Sequence, residues 1–442
     1  MLETYKKHIK YNLPFLNEGK LLIAISGGLD SVVLTHLCHQ SKLNIALAHC
    51  NFNLRDNESD LDEAFVIDLA EQLNLEVFTQ HFNTESYAKD EKISIQIAAR
   101  ELRYNWFEAL ANQLQFEYIL TAHHADDNLE TFLINLTRGT GLDGLTGIPE
   151  TNNTIVRPLL SFTRAEIESY AQETNLNWRE DSSNRSNKYL RNALRLEVIP
   201  KLKELNANLL DNFKKTISNL KDTADIVDES LNAVAKRAIV DIDDNSISFK
   251  ISEFKKVNNP KAYLFEMFKA YEFTEWNDVL ALLDAQSGKR VYSTTHSLLK
   301  DREHLILSEK NNAILNKNEE SLSISETDFE VETSLGILKF EETQQLNNFN
   351  ESTIYVDKDL LNFPLLVRHW KKGDYFYPLG MQGKKKLSKF FKDEKLSLVA
   401  KENSLLLCSG DAIVWVMNQR ADNRFRVTDQ TKTIIKITID AK

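Results

Sequence analysis

Apolar and polar positions along the first two hundred residues keep switching between two rhythms. Leu21–Ile25 is a short apolar run rich in β-formers, and Val32, Val33 and Leu37 repeat behind it at helical spacing. Apolar runs return at Leu43–Ala48, Leu75–Gln80 and Tyr118–Ala122, and helical patterns fill Ala64–Leu73 and Ser94–Ala111. Short strands alternating with helices predict an α/β domain with a doubly wound parallel sheet. Ligands of such sheets sit beyond the carboxyl ends of the strands. The polar strings Ser26–Ser31, His49–Arg55 and His123–Glu130 each follow a predicted strand.

Farther on, Thr163 before Arg164-Ala-Glu166 reads as a capping box opening a helix. A polar turn at Trp178–Asn184 precedes a helix from Tyr189, which Pro200 is expected to stop. Asn206–Ala238 is amphipathic as one long helix or two, and Glu309–Asp328 has the composition of a linker. From Phe329 the pattern alternates, as in a β-rich domain. The expected division is 1–215, a small mainly helical part over 216–310, and a C-terminal α+β, largely β part over 329–442.

Chemistry concentrates in the stretch Ser26-Gly27-Gly28-Leu29-Asp30-Ser31, between the first strand and the first helix. Amides of such a turn, with a helix N-terminus, form an anion site, and glycines let the backbone approach a phosphate closely. Ser26 and Ser31 add hydroxyl donors. An aspartate there suits a phosphate that arrives with a cation such as Mg2+. No Gly-Lys-Ser/Thr follows, so this is not the Walker-type loop.

A second group, His123-His124-Ala-Asp126-Asp127-Asn-Leu-Glu130, follows the fourth strand. Asp126 and Glu130, like Asp127 and Glu130, share a helix face. They suit a divalent cation or an ammonium, with Asp30 and Asp126 the metal candidates, but acids also cap helix N-termini. Arg100 and Arg103 share a face in Ala99-Arg-Glu-Leu-Arg-Tyr104, either as phosphate or RNA contacts or as a solvated face. Arg191 and Arg195 are four apart. Four glycines between Gly139 and Gly147 suggest a mobile lid or a plain connector.

Composition narrows the choices. The 442 residues allow two or three domains, and 42% hydrophobic with 27% charged is ordinary for a globular chain. No apolar run could span a bilayer, and the polar N-terminus lacks a signal-peptide core, so a cytoplasmic location without membrane association is expected. Cys38, Cys50 and Cys408 form no Cys-x-x-Cys pair, which speaks against zinc, iron–sulfur or disulfide frameworks. The net charge of −11 opposes non-specific nucleic-acid binding. Against that background Lys371, Lys372, Lys384, Lys385, Lys386, Lys389 and Lys392 form a local basic cluster, either an RNA-backbone contact or a solvated face.

The Ser26–Ser31 loop resembles that of the PP-loop, or N-type ATP pyrophosphatase, superfamily. Together with His-x-Asp-Asp-x-x-Glu-Thr at 124–131, AARELRY at 98–104, RPLL at 157–160 and Tyr-Leu-Arg-Asn at 189–192, the chain is similar to the tRNA(Ile)-lysidine synthetase family almost throughout. That resemblance implies ATP as cosubstrate with Mg2+, L-lysine, and tRNA(Ile) with a CAU anticodon. Lysine would join C2 of the wobble cytidine through an adenylated intermediate, with AMP and pyrophosphate released and decoding changed from Met to Ile. It implies ATP contacts from Ser26, Gly27, Gly28, Leu29, Asp30, Ser31 and His49. Catalytic candidates are Asp30, Asp127 and Glu130; Asp127, Glu130, Arg191 and Arg195 are lysine contacts; Lys384, Lys385, Lys386 and Lys389 are tRNA contacts. Where many members carry His-Gly after strand two, this chain has Phe52-Asn53, and asparagine tolerates a left-handed backbone. An asparagine-synthetase-like enzyme is disfavoured because Leu, not Cys, follows Met1. A catalytically inactive tRNA-binding protein and another PP-loop tRNA-modifying or amide-forming enzyme are the remaining alternatives, and a homodimer is left open.

Overall fold

The structure, a computed structural model, describes the chain apart from residues 55–56, 180–189, 244–245, 311–320, 347–349 and 441–442. It divides into two compact units, Met1–Asp228 and Glu229–Lys442.

In the first unit six strands, β1 Leu21–Ala24, β2 Ile45–Asn51, β3 Val77–His81, β4 Tyr118–Leu120, β5 Thr151–Asn152 and β6 Ile155–Val156, form one sheet in the order β3-β2-β1-β4-β6-β5. All neighbours are parallel except β5 and β6. Side chains alternate between the faces, as a pleat requires. Leu21 and Ile23 of β1 join one core with Ile45 and Leu47, whereas Leu22 joins the other with Ala46 and Ala48. The first core is covered by α1 Leu2–Asn12, α2 Leu29–Gln40 and α8 Arg164–Glu173, through residues such as Tyr5, Val33, Leu37 and Ile167. The second is covered by α5 Ile95–Leu114 through Phe107 and Ala111. Helices on both faces make this the expected doubly wound architecture.

The helix expected over Ala64–Leu73 begins at Asn57 (α3, Asn57–Leu73), so the acidic run is its first turns. Between α3 and α5 lies α4, Thr84–Asp90. Two-residue strands such as β5 and β6 carry too short a pattern to read. The glycine-rich segment is not a bare loop. It follows α6 Ala125–Arg138, contains α7 Leu142–Leu145, and is tied back to α6: Asn135 Nδ2 donates to Gly144 O at 2.9 Å, and Ile148 N to Asn128 Oδ1 at 2.7 Å. Gly147 lies between, at φ +75°, where a Cβ would collide with the Asn128 amide.

Pro200 does not stop its helix. The chain runs through α9 Leu190–Ala193, a π-helical turn at Leu194–Val198 and α10 Ile199–Leu205. Proline's ring and missing N–H are tolerated at a helix start; the π turn makes Pro200 the second residue of a new α segment. The polar turn expected through Asp181–Asn184, and Arg55, lie outside the described residues. α11, Leu209–Ala238, is one 30-residue helix.

In the second unit, the part after α11 has helices at Ile251–Lys255, Pro260–Phe268 and Trp276–Ala281 packed on a five-stranded antiparallel sheet that the sequence pattern did not reveal. The rest holds a five-stranded sheet from Leu322–Ile324, Leu365–His369, Leu405–Ser409, Ala412–Val416 and Arg420–Ala421, and a four-stranded one from Glu330–Thr333, Gly336–Thr343, Ile434–Asp440 and Thr353–Asp357. Both are antiparallel and share a core that includes Trp415, Ile437 and Leu407.

Candidate active site

The loop after β1 is held by its own serines. Ser31 Oγ donates to Gly28 O at 2.9 Å and accepts from Ser26 N at 3.2 Å, while Gly28 N donates to Ser26 Oγ at 3.3 Å. Gly27 sits at φ +83°, which disfavours any residue with a Cβ. Leu29 is buried, so only its backbone can meet a ligand. His49 is also buried, and its Nδ1 lies 3.0 Å from Ile25 O. From outside, Arg179 N donates to Gly27 O at 3.0 Å while its guanidinium pairs with Asp62 on α3.

The second group opens α6, which His124 precedes as N-cap residue, its N–H donating to Asp127 Oδ2 at 3.1 Å. Asp126, Asp127 and Glu130 are all buried. Each acid meets a base brought from elsewhere. Asp30 takes both its contacts, 2.5 Å each, from Arg164 Nη1 at the start of α8. Asp126 accepts from Arg164 N at 2.8 Å and pairs with Lys203. Glu130 receives Arg191 Nε at 2.8 Å and Arg195 Nε at 2.5 Å; Asp127 receives Arg195 Nη2 at 2.9 Å. His124, almost fully buried, stands among the carboxylates, its Nε2 3.3 Å from Asp127 and 3.7 Å from Asp30. The structure thus brings Asp30, Asp126, Asp127, Glu130, Arg191 and Arg195 into one network beside the phosphate-type loop. Arg164, Lys203 and His124 complete it, while Arg179 braces the loop. Arg164 reads from the sequence only as a helix start, and of these four only His124, three residues before Asp127, carries a local signal of its partner.

Electrostatics follow this pairing. Burial opposes ionisation of Asp127, but His124, its backbone N–H and Arg195 outweigh it and hold the carboxyl below its ordinary value. Asp126 is lowered likewise, burial being overcome by Arg164 N–H and Lys203. His123 is pushed down to about 4, chiefly by burial, with Arg157, Arg191 and Arg100 adding to the effect against Asp127. It is therefore a neutral imidazole at neutral pH, its Nδ1 2.9 Å from Thr121 Oγ1.

Oxygen donors of Asp30 and Asp126 have the chemistry that Mg2+ requires. A cation at Asp30 has to displace Arg164 first. Among the described residues a metal-like cluster also occurs at Asp60, Glu63 and His81, but there the Asn51 amide donates to both carboxylates.

Arg100 stacks on Tyr104, its Cζ 4.7 Å from the ring centre, and Arg103 lies over Phe52 at 5.2 Å. Phe52 stacks in turn on Phe82, and Asn53 adopts φ +51°, the left-handed conformation that its side chain tolerates. In the second unit, Lys384, Lys385, Lys386 and Lys389 line a groove of about 490 Å³ with Tyr375 and Asp393. Lys384, Lys386 and Lys389 are exposed, with Lys384 Nζ 5.0 Å over the Tyr375 ring, whereas Lys385 is neutralised by Asp393 at 2.8 Å.

A parallel doubly wound sheet with a self-bonded Ser-Gly-Gly loop at its first strand defines a PP-loop ATP-binding domain, and the family model described as the PP-loop domain matches residues 1–202. Two further models, the TilS substrate binding domain and the TilS substrate C-terminal domain, match 242–310 and 365–438. Curated relatives named tRNA(Ile)-lysidine synthase share 39% identity in Parabacteroides distasonis, over 98% of this chain and 99% of the relative, and 37% in Bacteroides thetaiotaomicron, over 97% of each. Among solved structures, a U34-tRNA thiolase NcsA from Methanococcus maripaludis is similar at 16% identity and TM-score 0.40, over 49% of this chain and 78% of that one. The chain belongs to the tRNA(Ile)-lysidine synthase family, whose members are ligases. Among the described residues no helix is long and apolar enough to cross a membrane.

Proposed function

We propose that the protein joins L-lysine to C2 of the wobble cytidine of tRNA(Ile) with a CAU anticodon, converting ATP to AMP and pyrophosphate and switching decoding from Met to Ile. The observation that carries this reading is the network of buried Asp127 and Glu130 with Arg191 and Arg195, next to the Ser26–Ser31 loop. A zwitterionic amino acid needs both charges met, and here carboxylates and guanidiniums stand side by side.

Backbone amides of Gly27 to Ser31 and the N-terminus of α2 bind the phosphates. A Mg2+ held by Asp30 and Asp126 would neutralise phosphate charge. The cytidine O2 attacks the α-phosphate and pyrophosphate leaves. Adenylation is needed because O2 is a poor leaving group, whereas a phosphate monoester leaves readily. The lysine ammonium takes the place of a guanidinium on Asp127 and Glu130, and the arginine so released receives its α-carboxylate. The amine must lose a proton to attack. Asp127, held in its ionised form, suits holding the ammonium better than retaining its proton; Glu130 is the acceptor in this scheme. We assign ATP and lysine chemistry to residues 1–215, and tRNA-backbone contacts to 329–442 through Lys384, Lys386 and Lys389, with 216–310 between them.

The test is mass analysis of the wobble nucleoside after incubation of the protein with CAU tRNA(Ile), ATP and lysine, with AMP and pyrophosphate quantified alongside. Lysidine with one AMP per modified tRNA is expected. tRNA binding without pyrophosphate release would establish the inactive binder instead, and ADP as product would overturn the loop assignment.

A further inference from the structure

The Ala98–Tyr104 and Arg157–Leu160 strings contain three guanidiniums that the charge network above does not use: Arg103 lies over Phe52, while Arg100 and Arg157 both adjoin Tyr104. Arg157 directly follows β6 and is 6% exposed. Its Nη1 donates to Pro149 O at 2.7 Å and the Tyr104 hydroxyl lies beside it, but its buried Nε has no partner. Arg100 lies on the face of the same tyrosine. Tyr104 therefore stands next to two cations, one deep and one exposed. Among the described residues neither has a carboxylate within 4.0 Å, and the neighbouring ring, His123, is uncharged. Arg164, Arg179, Arg191, Arg195 and Lys203 are all paired with acids. A buried guanidinium without a counter-charge is costly unless an anion completes it.

We propose that Arg157, Arg100 and Tyr104 form a seat for a phosphodiester of the bound RNA, next to the nucleotide being modified. This rests on the reading of the site as an RNA-modifying one. Two facts favour the RNA over the nucleotide. Sheet order puts β4 between β1 and β6, so Arg157 stands two strand spacings, about 10 Å, from the strand end that carries the phosphate-type loop. Arg100 is exposed, so the anion is held at the mouth, as a large ligand extending into solvent requires. The planar fork of Arg100 suits phosphate, and the uncompensated charge of Arg157 behind it favours an anion there.

The experiment measures binding of a CAU anticodon stem-loop RNA, without ATP, to the full-length protein and to Arg100→Gln, whose exposed site leaves folding undisturbed, and Arg157→Lys. In parallel, each phosphate around the wobble position is replaced singly by an uncharged methylphosphonate. Arg100→Gln should weaken RNA binding roughly ten- to a hundredfold and lower the salt slope by about 0.7–0.9, with ATP affinity unchanged. One methylphosphonate should cause the same loss in the wild type and no further loss in the variant. Lower ATP affinity with intact RNA binding would hand the seat to a nucleotide phosphate and overturn the proposal, as would unchanged binding of both. RNA binding with this phosphate dependence but no lysidine would leave the seat standing and remove the functional reading.

Discussion

Glu130→Gln changes one charge at a residue that is 1% exposed, and its consequences can be worked from three bonds. The carboxylate accepts from Arg191 Nε at 2.8 Å, Arg195 Nε at 2.5 Å and Arg195 Nη2 at 3.0 Å. Glutamine keeps the shape but turns an amide N–H2 toward a guanidinium. Removing one partner of a buried pair costs about 3–5 kcal/mol. The two arginine side chains are 43% and 37% exposed and can turn toward water, which reduces the expected loss to about 1–3 kcal/mol. In a unit of 228 residues this lowers its melting temperature by roughly 2–12 °C. The same carboxylate is to hold the lysine ammonium. Lysine at a hundred times its dissociation constant should stabilise the wild type by about 2.7 kcal/mol, and the variant hardly at all. Calorimetry of both proteins with a non-hydrolysable ATP analogue, with and without lysine, reads both effects. A variant that melts with the wild type and still shifts upward with lysine would refute the reasoning.

Two more outcomes follow from the site and the basic groove. His123 is pushed from an ordinary value of 6.5 to about 4 by burial, so between those pH values the unfolded chain binds a proton that the folded one does not. Stability should therefore fall as pH drops through that window, by at most about 3 kcal/mol, and His123→Gln should flatten this part of a stability–pH curve measured by urea unfolding; an unchanged slope would mean that His123 titrates normally. In the second unit, replacing Lys384, Lys386 and Lys389 with alanine should weaken tRNA binding and reduce its salt slope by about 0.7–0.9 per lost contact, whereas Lys385→Ala, whose charge Asp393 already meets, should have little effect.

What could be read from sequence was what is local. The Ser26–Ser31 string shapes itself through contacts among its own members, so strand, turn and helix follow from a few neighbouring residues. The capping box at Thr163–Glu166 and the left-handed Asn53 are of the same kind. Asp127, Glu130, Arg191 and Arg195 were named as one pocket through the family resemblance, and geometry joins them across 61 to 68 positions. Arg164 was out of reach for the opposite reason: its partner Asp30 is 134 positions away, and no periodicity records a pairing that only the fold creates. The π turn and the anchored glycine segment failed likewise. Pro200 and the glycines are local breakers, and what overrides them is tertiary, namely Asn128 and Asn135 for the glycines.

These pairings give the site a common logic. Asp30, Asp126, Asp127 and Glu130 face Arg164, Lys203, Arg191 and Arg195, so each of these four carboxylates has a counter-charge in the free protein. A ligand therefore enters by exchange. An ammonium that takes over Asp127 and Glu130 sets free a guanidinium, which is satisfied only if the same ligand also brings a carboxylate. A diamine lacking that group frees an arginine and gives it nothing, and an acid lacking the amine finds both Arg191 and Arg195 occupied. The same exchange operates at Asp30, where a cation arriving with the nucleotide releases Arg164 beside the phosphates that the cation accompanies. Selectivity in such a site comes from the charge that a wrong ligand leaves unpaired, which costs more than any single contact it gains.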